Sequence, residues 1–174
     1  MALLTLQQVQ PPRQSSLSAL PEGAAGIRAT LKAMQRAALD AETDLSIRNL
    51  AESIVATTAN KDYAGELAAI QRWVQLHIRY TRDPVNAETL KIPSALLTSP
   101  QGDCDDQATL VAALVMTIGF PARFVAIGMN DPGVFDHVYT EAKLGTLWLS
   151  VETTEDVPIG WKPDGVVARM EWHL

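Results

Sequence analysis

The sequence predicts an α+β fold in which several helices and a small antiparallel sheet share one core. Helical periodicity fills the first half of the chain, and strand-like segments fill much of the second half. Between them lies a helix that begins at the only cysteine, and we expect this helix to pack on the sheet. A length of 174 residues with 47% apolar residues suits one main domain with a substantial core.

The first part of the chain divides into an arm and a set of helices. Residues 1–22 are rich in Gln, Ser and Pro, which is typical of an arm or linker. Three stretches that place apolar residues on one helical face follow. These predicted helices cover 23–41, 43–58 and 63–79. We therefore expect an N-terminal arm (1–22), a helical N-terminal extension (23–60) and a main domain (61–174).

The cysteine is preceded by a loop and opens a helix. Residues 81–102 carry three prolines and no long apolar period, which predicts little regular structure. The apolar residues between 108 and 118 then form one stripe, so we expect a half-buried helix that begins at Cys104. Asp103 stands at the N-cap position with Asp106 three residues later, as in a capping box. A glycine and a proline beyond the stripe end the helix.

The position of Cys104 predicts a reactive thiol. A side chain in the first turn of a helix lies at the positive end of the helix dipole and beside unpaired N–H groups. Both effects lower the pKa of a thiol. The neighbouring acids Asp103, Asp105 and Asp106 oppose this lowering, and we expect them to cap the helix and face solvent.

The segments after this helix have the pattern of β-strands and contain a histidine and an acid. Predicted strands cover 122–127, 137–142 and 146–151, with a turn at 130–133. With a two-residue hairpin loop at 144–145, His137 falls opposite Glu152, with Cβ atoms about 4.5–5.5 Å apart. A one-residue slip would send the two side chains to opposite faces. Cysteine, histidine and an acid are the groups that thiol acyl transfer uses.

Five segments between residues 60 and 155 extend this pattern. They are Trp73 with Ile78-Arg79-Tyr80 and Asp83-Pro84, Gly102-Asp103-Cys104-Asp105-Asp106, Gly119-Phe120-Pro121-Ala122-Arg123-Phe124-Val125, His137-Val138-Tyr139, and Trp148-Leu149-Ser150-Val151-Glu152-Thr153-Thr154. Together they resemble the transglutaminase-like superfamily of papain-like thiol enzymes, particularly its small bacterial and phage members. The Gly-Asp-Cys box followed by Gly-x-Pro-Ala-Arg is the most specific part of the resemblance.

The resemblance implies a papain-like fold and a role for each of three residues. Cys104 would be the nucleophile, His137 the base, and Glu152, where the family usually has aspartate, the acid that orients the histidine. The implied reaction is hydrolysis or acyl transfer of an amide in a protein or peptide substrate, through a Cys104 thioester. Gln101 is a candidate second oxyanion donor, and Trp148 either packs in the core or walls the substrate cleft. Three nearby acids are rivals of Glu152: Asp136, Glu155 and Asp156.

A second function also fits the sequence. The protein could be a structural or assembly protein on the same fold, such as a phage virion or tail component, with a vestigial or single-use site. The arm and the glutamate at position 152 favour it. Residues 1–60 would then bind a second copy or another protein, whereas under the enzyme interpretation residues 61–174 form the catalytic domain.

Composition narrows the partners, cofactors and location that we expect. A net charge of −6 without a Lys/Arg run argues against nucleic acid or a membrane surface. No stretch approaches the roughly 18 apolar residues of a transmembrane helix, and the start lacks the features of a signal peptide. One cysteine allows no internal disulfide, so we expect cytoplasmic synthesis, with a virion location if the protein derives from phage. The wide spacing of the cysteine and the three histidines predicts no metal site, and we expect no cofactor.

Overall fold

A computed structural model describes residues 14–16, 23–83 and 89–174 of the chain. Within this part the helices are α1 (Gly23–Glu42), α2 (Leu45–Val55), α3 (Tyr63–His77), α4 (Pro93–Thr98) and α5 (Cys104–Thr117). The strands are β1 (Gln14–Ser16), β2 (Arg79–Tyr80), β3 (Thr89–Lys91), β4 (Gln101–Gly102), β5 (Ala122–Gly128), β6 (His137–Leu144), β7 (Leu147–Val151) and β8 (Ala168–His173). Apart from β1, the predicted arm lies outside the described residues.

The main sheet has four antiparallel strands in the order β7-β6-β5-β8. Its side chains alternate between two faces. Val138 and Ala142 of β6 belong to the buried clusters that surround α5, and the Thr140 hydroxyl donates to the Ala108 carbonyl of α5 at 2.7 Å. The opposite face, which we call the outer face, carries His137 and Glu141. The predicted α+β architecture, with the cysteine-bearing helix packed on a small antiparallel sheet, is confirmed.

Helix α5 is the centre of the molecule rather than a half-buried helix. Every residue from Asp105 to Val115 is buried, including Leu110 and Ala113, which lie off the predicted stripe. One cluster joins α5 to α2, α3 and α4, and a second joins it to α1, because α5 lies between those helices and the sheet. The prediction of one buried face was therefore wrong.

Both ends of α5 follow local sequence rules. Asp103 is the N-cap, and its carboxylate accepts from the Asp106 N–H at 3.4 Å. At the other end the Gly119 N–H donates to the Met116 carbonyl at 2.8 Å and the Phe120 N–H to the Val115 carbonyl at 3.0 Å, which is a Schellman motif. Gly119 has φ +92°, a conformation that glycine adopts without the steric cost of a Cβ.

The segment before Cys104 has more regular structure than predicted. Residues 84–88 lie outside the described residues, but β3, α4 and β4 fall within the predicted loop. Elements of two to six residues are too short to show an apolar period, and Pro93 begins α4 at its first turn instead of preventing it. Strand β4 pairs in parallel with β2, which holds the approach to Cys104 beside Tyr80.

The β6–β7 hairpin has a register two residues away from the predicted one. Leu144 faces Leu147, so the loop is Gly145-Thr146 rather than 144–145. The loop begins with Gly145 at φ +62°, which suits the first position of a type II′ turn, whereas the predicted loop placed Leu144 there. A shift of two residues leaves every side chain on the same face of the sheet. His137 and Glu152 therefore still share the outer face, as diagonal rather than directly opposite neighbours.

The three predicted N-terminal helices are present, with ends that differ by up to three residues. Leu31 and Met34 of α1 pack in the same cluster as Ala112 of α5 and Phe124 of β5. The helical extension thus shares a core with the rest of the chain, and the division at residue 60 stays a prediction. Among the described residues, no helix has the length and apolar character needed to cross a membrane.

Candidate active site

His137 and Glu152 form a hydrogen-bonded pair at the edge of the outer face. His137 begins β6, Glu152 follows β7, and the His137 Nε2 lies 2.7 Å from the Glu152 Oε2. The other carboxylate oxygen accepts from the Thr154 N–H at 2.7 Å and the Thr154 hydroxyl at 2.9 Å. Both oxygens of Glu152 are therefore held in place, and the Nδ1 of His137 is the ring nitrogen left for another partner.

The surroundings of Glu152 keep its carboxylate ionised. Burial alone would raise the pKa of Glu152, but hydrogen bonds from His137 and Thr154 outweigh that effect and hold the pKa below its ordinary value. The Glu152 side chain is 1% exposed, so its charge is screened little by water. An ionised carboxylate accepts a hydrogen bond from Nε2–H, so the neutral ring carries its proton on Nε2 and leaves Nδ1 as an acceptor.

Helix α3 positions the segment that carries Glu152. The Gln71 side-chain amide donates to the Glu152 backbone carbonyl at 2.7 Å, and the Gln75 amide donates to the Glu155 carbonyl at 2.8 Å. Both amides also reach the Val157 carbonyl. This support was not predicted from the sequence, although two glutamines four residues apart on one helical face, one of them on the apolar side, were a usable signal.

Cys104 lies at the first turn of α5, against the start of β6. Its side chain is half-buried beside the cluster that contains Ala108 and Val138. The backbone N–H groups of Val138 and Asp105 approach the sulfur as hydrogen-bond donors. Val138 directly follows His137 in β6, so the start of the strand that carries the imidazole lies against the turn that carries the sulfur.

The thiol pKa is raised, so the prediction of a lowered pKa was wrong. Burial has the largest effect, the charges of Asp105 and Asp103 add to it, and together they raise the pKa of Cys104 to about 12. The N–H groups of Val138 and Asp105 work in the opposite direction but are outweighed. The sequence showed the helix terminus but not how far the sulfur is withdrawn from water.

Asp105 and Asp106 are buried rather than solvent-facing, which corrects a second expectation, whereas Asp103 is half-buried and caps α5 as expected. Asp106 accepts from the Lys91 N–H at 2.7 Å and the Lys91 ammonium at 3.0 Å, so it anchors β3 instead of completing a capping box. Burial and the neighbouring carboxylates of Asp103 and Asp106 raise the pKa of Asp105 well above its ordinary value. The three acids place one oxygen each within 4.8 Å of one another, but Asp106 is already paired with Lys91.

A cavity of about 470 Å³ opens beside the His137–Glu152 pair. Polar and charged groups on its wall include Tyr80, Arg82 and two of the rival acids, Asp136 and Glu155. Cys104 is not among the residues that line it. The third rival acid, Asp156, pairs with Arg72 at 2.8 Å.

The structure does not bring Gln101 or Trp148 to this cavity. The side-chain Oε1 of Gln101 accepts from the Arg79 guanidinium at 2.7 Å. The Trp148 ring lies under the Arg123 guanidinium, 4.3 Å from its centroid, and beside His173. Trp148 pairs with Lys143 of β6. Lys143 lies six residues from His137, and at the rise of a β-strand this separates the two by about 20 Å. Their roles as oxyanion donor and cleft wall stay predictions.

Comparison with known proteins identifies the family. The model of the transglutaminase-like superfamily matches residues 48–153, more than half of the chain. No curated protein matches this chain.

Solved structures with a similar fold include two bacterial proteins. The crystal structure of a "Putative Cysteine Protease" from Cytophaga hutchinsonii is 26% identical and has a TM-score of 0.54, covering 70% of this chain and 40% of that one. A "putative protease" from Parabacteroides distasonis is 13% identical with a TM-score of 0.59, covering 83% of this chain and 32% of that one. The chain thus spans less than half the length of either.

Neither structure is described as a phage or virion protein, so the comparisons lend no support to that part of the sequence interpretation. They do support the resemblance drawn from the motifs, because the matched range contains Cys104, His137 and Glu152. The chain belongs to the transglutaminase-like superfamily.

Proposed function

We propose that the protein is a thiol hydrolase or acyl transferase that acts on amide bonds of a protein or peptide through a Cys104 thioester. The observation that carries the proposal is the His137–Glu152 pair, with 2.7 Å between Nε2 and Oε2 and the carboxylate buried and ionised. A histidine held in this way beside a cysteine at a helix N-terminus is the arrangement that nucleophilic thiol catalysis needs. The superfamily and the two protease-like neighbours support the same class of reaction.

The proposed first half-reaction forms the thioester. The Nδ1 of His137 takes the proton of Cys104, and the thiolate attacks the amide carbonyl. The oxyanion of the tetrahedral intermediate accepts a hydrogen bond from the Cys104 backbone N–H, which has no intrahelical partner because it lies in the first turn of α5. His137 then gives its proton to the leaving amine as the C–N bond breaks, and Glu152 stabilises the imidazolium throughout.

In the second half-reaction, water or an amine attacks the thioester and gives a proton to His137. His137 passes this proton to the Cys104 sulfur as the C–S bond breaks, so Cys104 leaves as the thiol. Water gives hydrolysis, and an amine gives acyl transfer. Because the pKa of Cys104 is about 12 in the resting protein, His137 has to remove the proton as substrate binds; the thiol does not start as a thiolate.

Acylation by p-nitrophenyl acetate tests the proposal without a known substrate. We expect intact-mass and peptide mapping to find an acetyl group on Cys104 in the wild type. Cys104→Ala should show none, and His137→Ala should acylate about 10²-fold more slowly. Absence of the acetyl group, or equal rates in wild type and His137→Ala, would refute it.

An unfolded protein such as casein, offered with and without cadaverine, separates the two outcomes of the second step. New peptide termini indicate hydrolysis of the chain, whereas incorporation of cadaverine indicates acyl transfer. Both products should be absent with Cys104→Ala.

Two observations favour the second function, a structural or assembly protein with an unused site. The sulfur has a raised pKa and does not line the cavity. This alternative predicts a stable complex with a second copy or another protein through residues 1–60. The complex should form equally well with Cys104→Ala, and no variant of His137 should change the acylation rate.

A further inference from the structure

A thioester mechanism needs two hydrogen-bond donors for the oxyanion. The first is the Cys104 N–H, which has no intrahelical acceptor because it lies in the first turn of α5. A second donor has to lie close to that turn and face the cavity beside His137. Gln101, the donor expected from the sequence, is bound by Arg79.

Tyr80 lies where such a donor is required. Strand β2 pairs in parallel with β4 so that Tyr80 faces Gly102 and Arg79 faces Gln101. Residues that pair across two strands point to the same side, whereas consecutive residues of one strand point to opposite sides. Tyr80 therefore points to the same side as a Cβ on Gly102 would, and Gln101 points to the other side. A Cβ added to Gly102 would come 2.7 Å from the Asp106 Cβ. The Tyr80 side of the pair is therefore the side that faces the first turn of α5.

The side chain of Tyr80 is also accessible from the cavity. Tyr80 is 43% exposed and lines the same cavity as His137 and Glu152. Burial raises the pKa of the Tyr80 hydroxyl, a hydrogen bond from Arg82 opposes this, and the nearby charge of Cys104 adds to the rise. The phenol therefore stays protonated at neutral pH and lies within electrostatic reach of the sulfur.

Arg82 leaves the Tyr80 hydroxyl with its proton to donate. Arg82 lines the same cavity as Tyr80. A guanidinium can only donate hydrogen bonds, so the Tyr80 oxygen can serve Arg82 only as an acceptor, and its own O–H remains able to donate. The positive charge beside the oxygen also makes the O–H a stronger donor.

We propose that the Tyr80 hydroxyl is a catalytic residue that donates a hydrogen bond to the oxyanion formed when Cys104 attacks the substrate carbonyl. This role rests on the proposed thioester function. The oxyanion accepts the Tyr80 O–H together with the Cys104 N–H, and no proton is transferred, so the proton balance of the mechanism is unchanged.

Two reactions of the same sulfur test this role in Tyr80→Phe, which keeps the ring. Acylation by p-nitrophenyl acetate passes through a tetrahedral oxyanion, whereas alkylation by iodoacetamide does not. We expect acylation to slow by about 10²-fold, in the range found for loss of one oxyanion donor, and alkylation to stay within about twofold. Tyr63→Phe, a half-exposed tyrosine at the start of α3, is the matched control and should change neither rate.

Three results would overturn the proposal, and they have different meanings. Unchanged acylation in Tyr80→Phe would remove the role of the hydroxyl alone. An equal fall in acylation and alkylation would show that Tyr80 acts on the thiol and not on the oxyanion. A wild type that alkylates but never acylates would refute the thioester function and this role together.

Discussion

Two groups of buried carboxylates flank the candidate site, and their pKa values shift in opposite directions. On the outer face of the sheet, burial would raise the pKa of Glu152, yet hydrogen bonds from His137 and Thr154 keep it below the ordinary value. In the first turn of α5, burial also raises the pKa of Asp105, and there the neighbours are other carboxylates, which raise it further. Burial is common to both groups, so the partners decide the sign of the shift.

Glu141 extends the comparison along the outer face. Its side chain is fully buried and accepts from Arg123, Arg169 and Lys162, and these donors outweigh the effect of burial and lower its pKa. The sheet side of the site therefore holds its negative charges in the ionised form, whereas the helix side holds Cys104 protonated. Under the proposed function, His137 is then a prepared base, and Cys104 is a nucleophile that becomes active only when His137 takes its proton.

The largest effect should follow from removing the charge on the sheet side. Glu152→Gln keeps the shape of the side chain but presents an amide to His137, which no longer stabilises the imidazolium. We expect acylation by p-nitrophenyl acetate to slow by about 10²–10⁴-fold. Glu52→Gln, an exposed glutamate on α2, is the matched control and should keep the wild-type rate. A Glu152→Gln rate equal to that of the control would remove Glu152 from the mechanism.

The next effect should be on stability. Glu141→Gln removes the buried anion of an ion network, so Lys162 loses this partner and Arg123 and Arg169 are left with the half-exposed Glu171 as their anionic partner. The free energy of unfolding at pH 7 should fall by about 3–5 kcal/mol. Urea unfolding measures this loss. In the control variant Glu171→Gln, which removes a half-exposed partner of Arg123, the free energy of unfolding should fall by about 1 kcal/mol or less.

The pH dependence of that loss has a definite sign. The folded pKa of Glu141 lies below its ordinary value of 4.5, so its stabilisation is present above that pH and is lost as the pH falls through the folded pKa. The difference between wild type and Glu141→Gln should therefore shrink in acid. A difference that stays constant from neutral to acid pH would contradict the ionised state of Glu141.

A smaller effect is expected on the helix side. Asp103 and Asp105 raise the pKa of Cys104, so replacing both by Asn should lower it and speed iodoacetamide labelling at neutral pH. The rate should rise about tenfold for each unit by which the thiol pKa falls, since labelling follows the thiolate fraction. Asn also serves as an N-cap, so α5 should remain intact.

The two single variants provide the control for this experiment. Each single variant keeps one carboxylate beside the sulfur, and in Asp103→Asn the remaining Asp105 loses a neighbour that raises its pKa. Each single variant should therefore change the labelling rate much less than the double variant does. A double variant that labels at the wild-type rate would show that burial alone keeps the thiol protonated.

The smallest effect should come from the hairpin loop that sets the register of β6 and β7. Gly145→Ala places a Cβ in a positive-φ position and should cost about 1 kcal/mol in thermal or urea unfolding. Gly145→Asn should cost less, because Asn tolerates this conformation better. Equal stabilities for the two variants and the wild type would show that the turn does not constrain the register.

Local chemistry in the sequence was enough to predict the longer elements around the site, but not the short elements β3, α4 and β4 that precede Cys104. The N-cap at Asp103, the stop at Gly119, the three N-terminal helices and the strands on either side of the hairpin all follow from short-range rules. The hairpin also limited where His137 and Glu152 could meet, because a shift of two residues changes the pairing but preserves the face. The motifs led to the right superfamily for the same reason, since each lies within a few consecutive residues.

The tertiary structure decided the charge states of the site and the groups that support it. Gln71 and Gln75 reach the segment after Glu152 across 80 residues of sequence, and Lys91 pairs with Asp106 across a segment that looked irregular. The thiol pKa depends on how far α5 is enclosed by helices from one side and the sheet from the other. Desolvation and long-range hydrogen bonds arise only when distant segments pack together, so the sequence determined which residues form the site, and packing determined which of them carry charge.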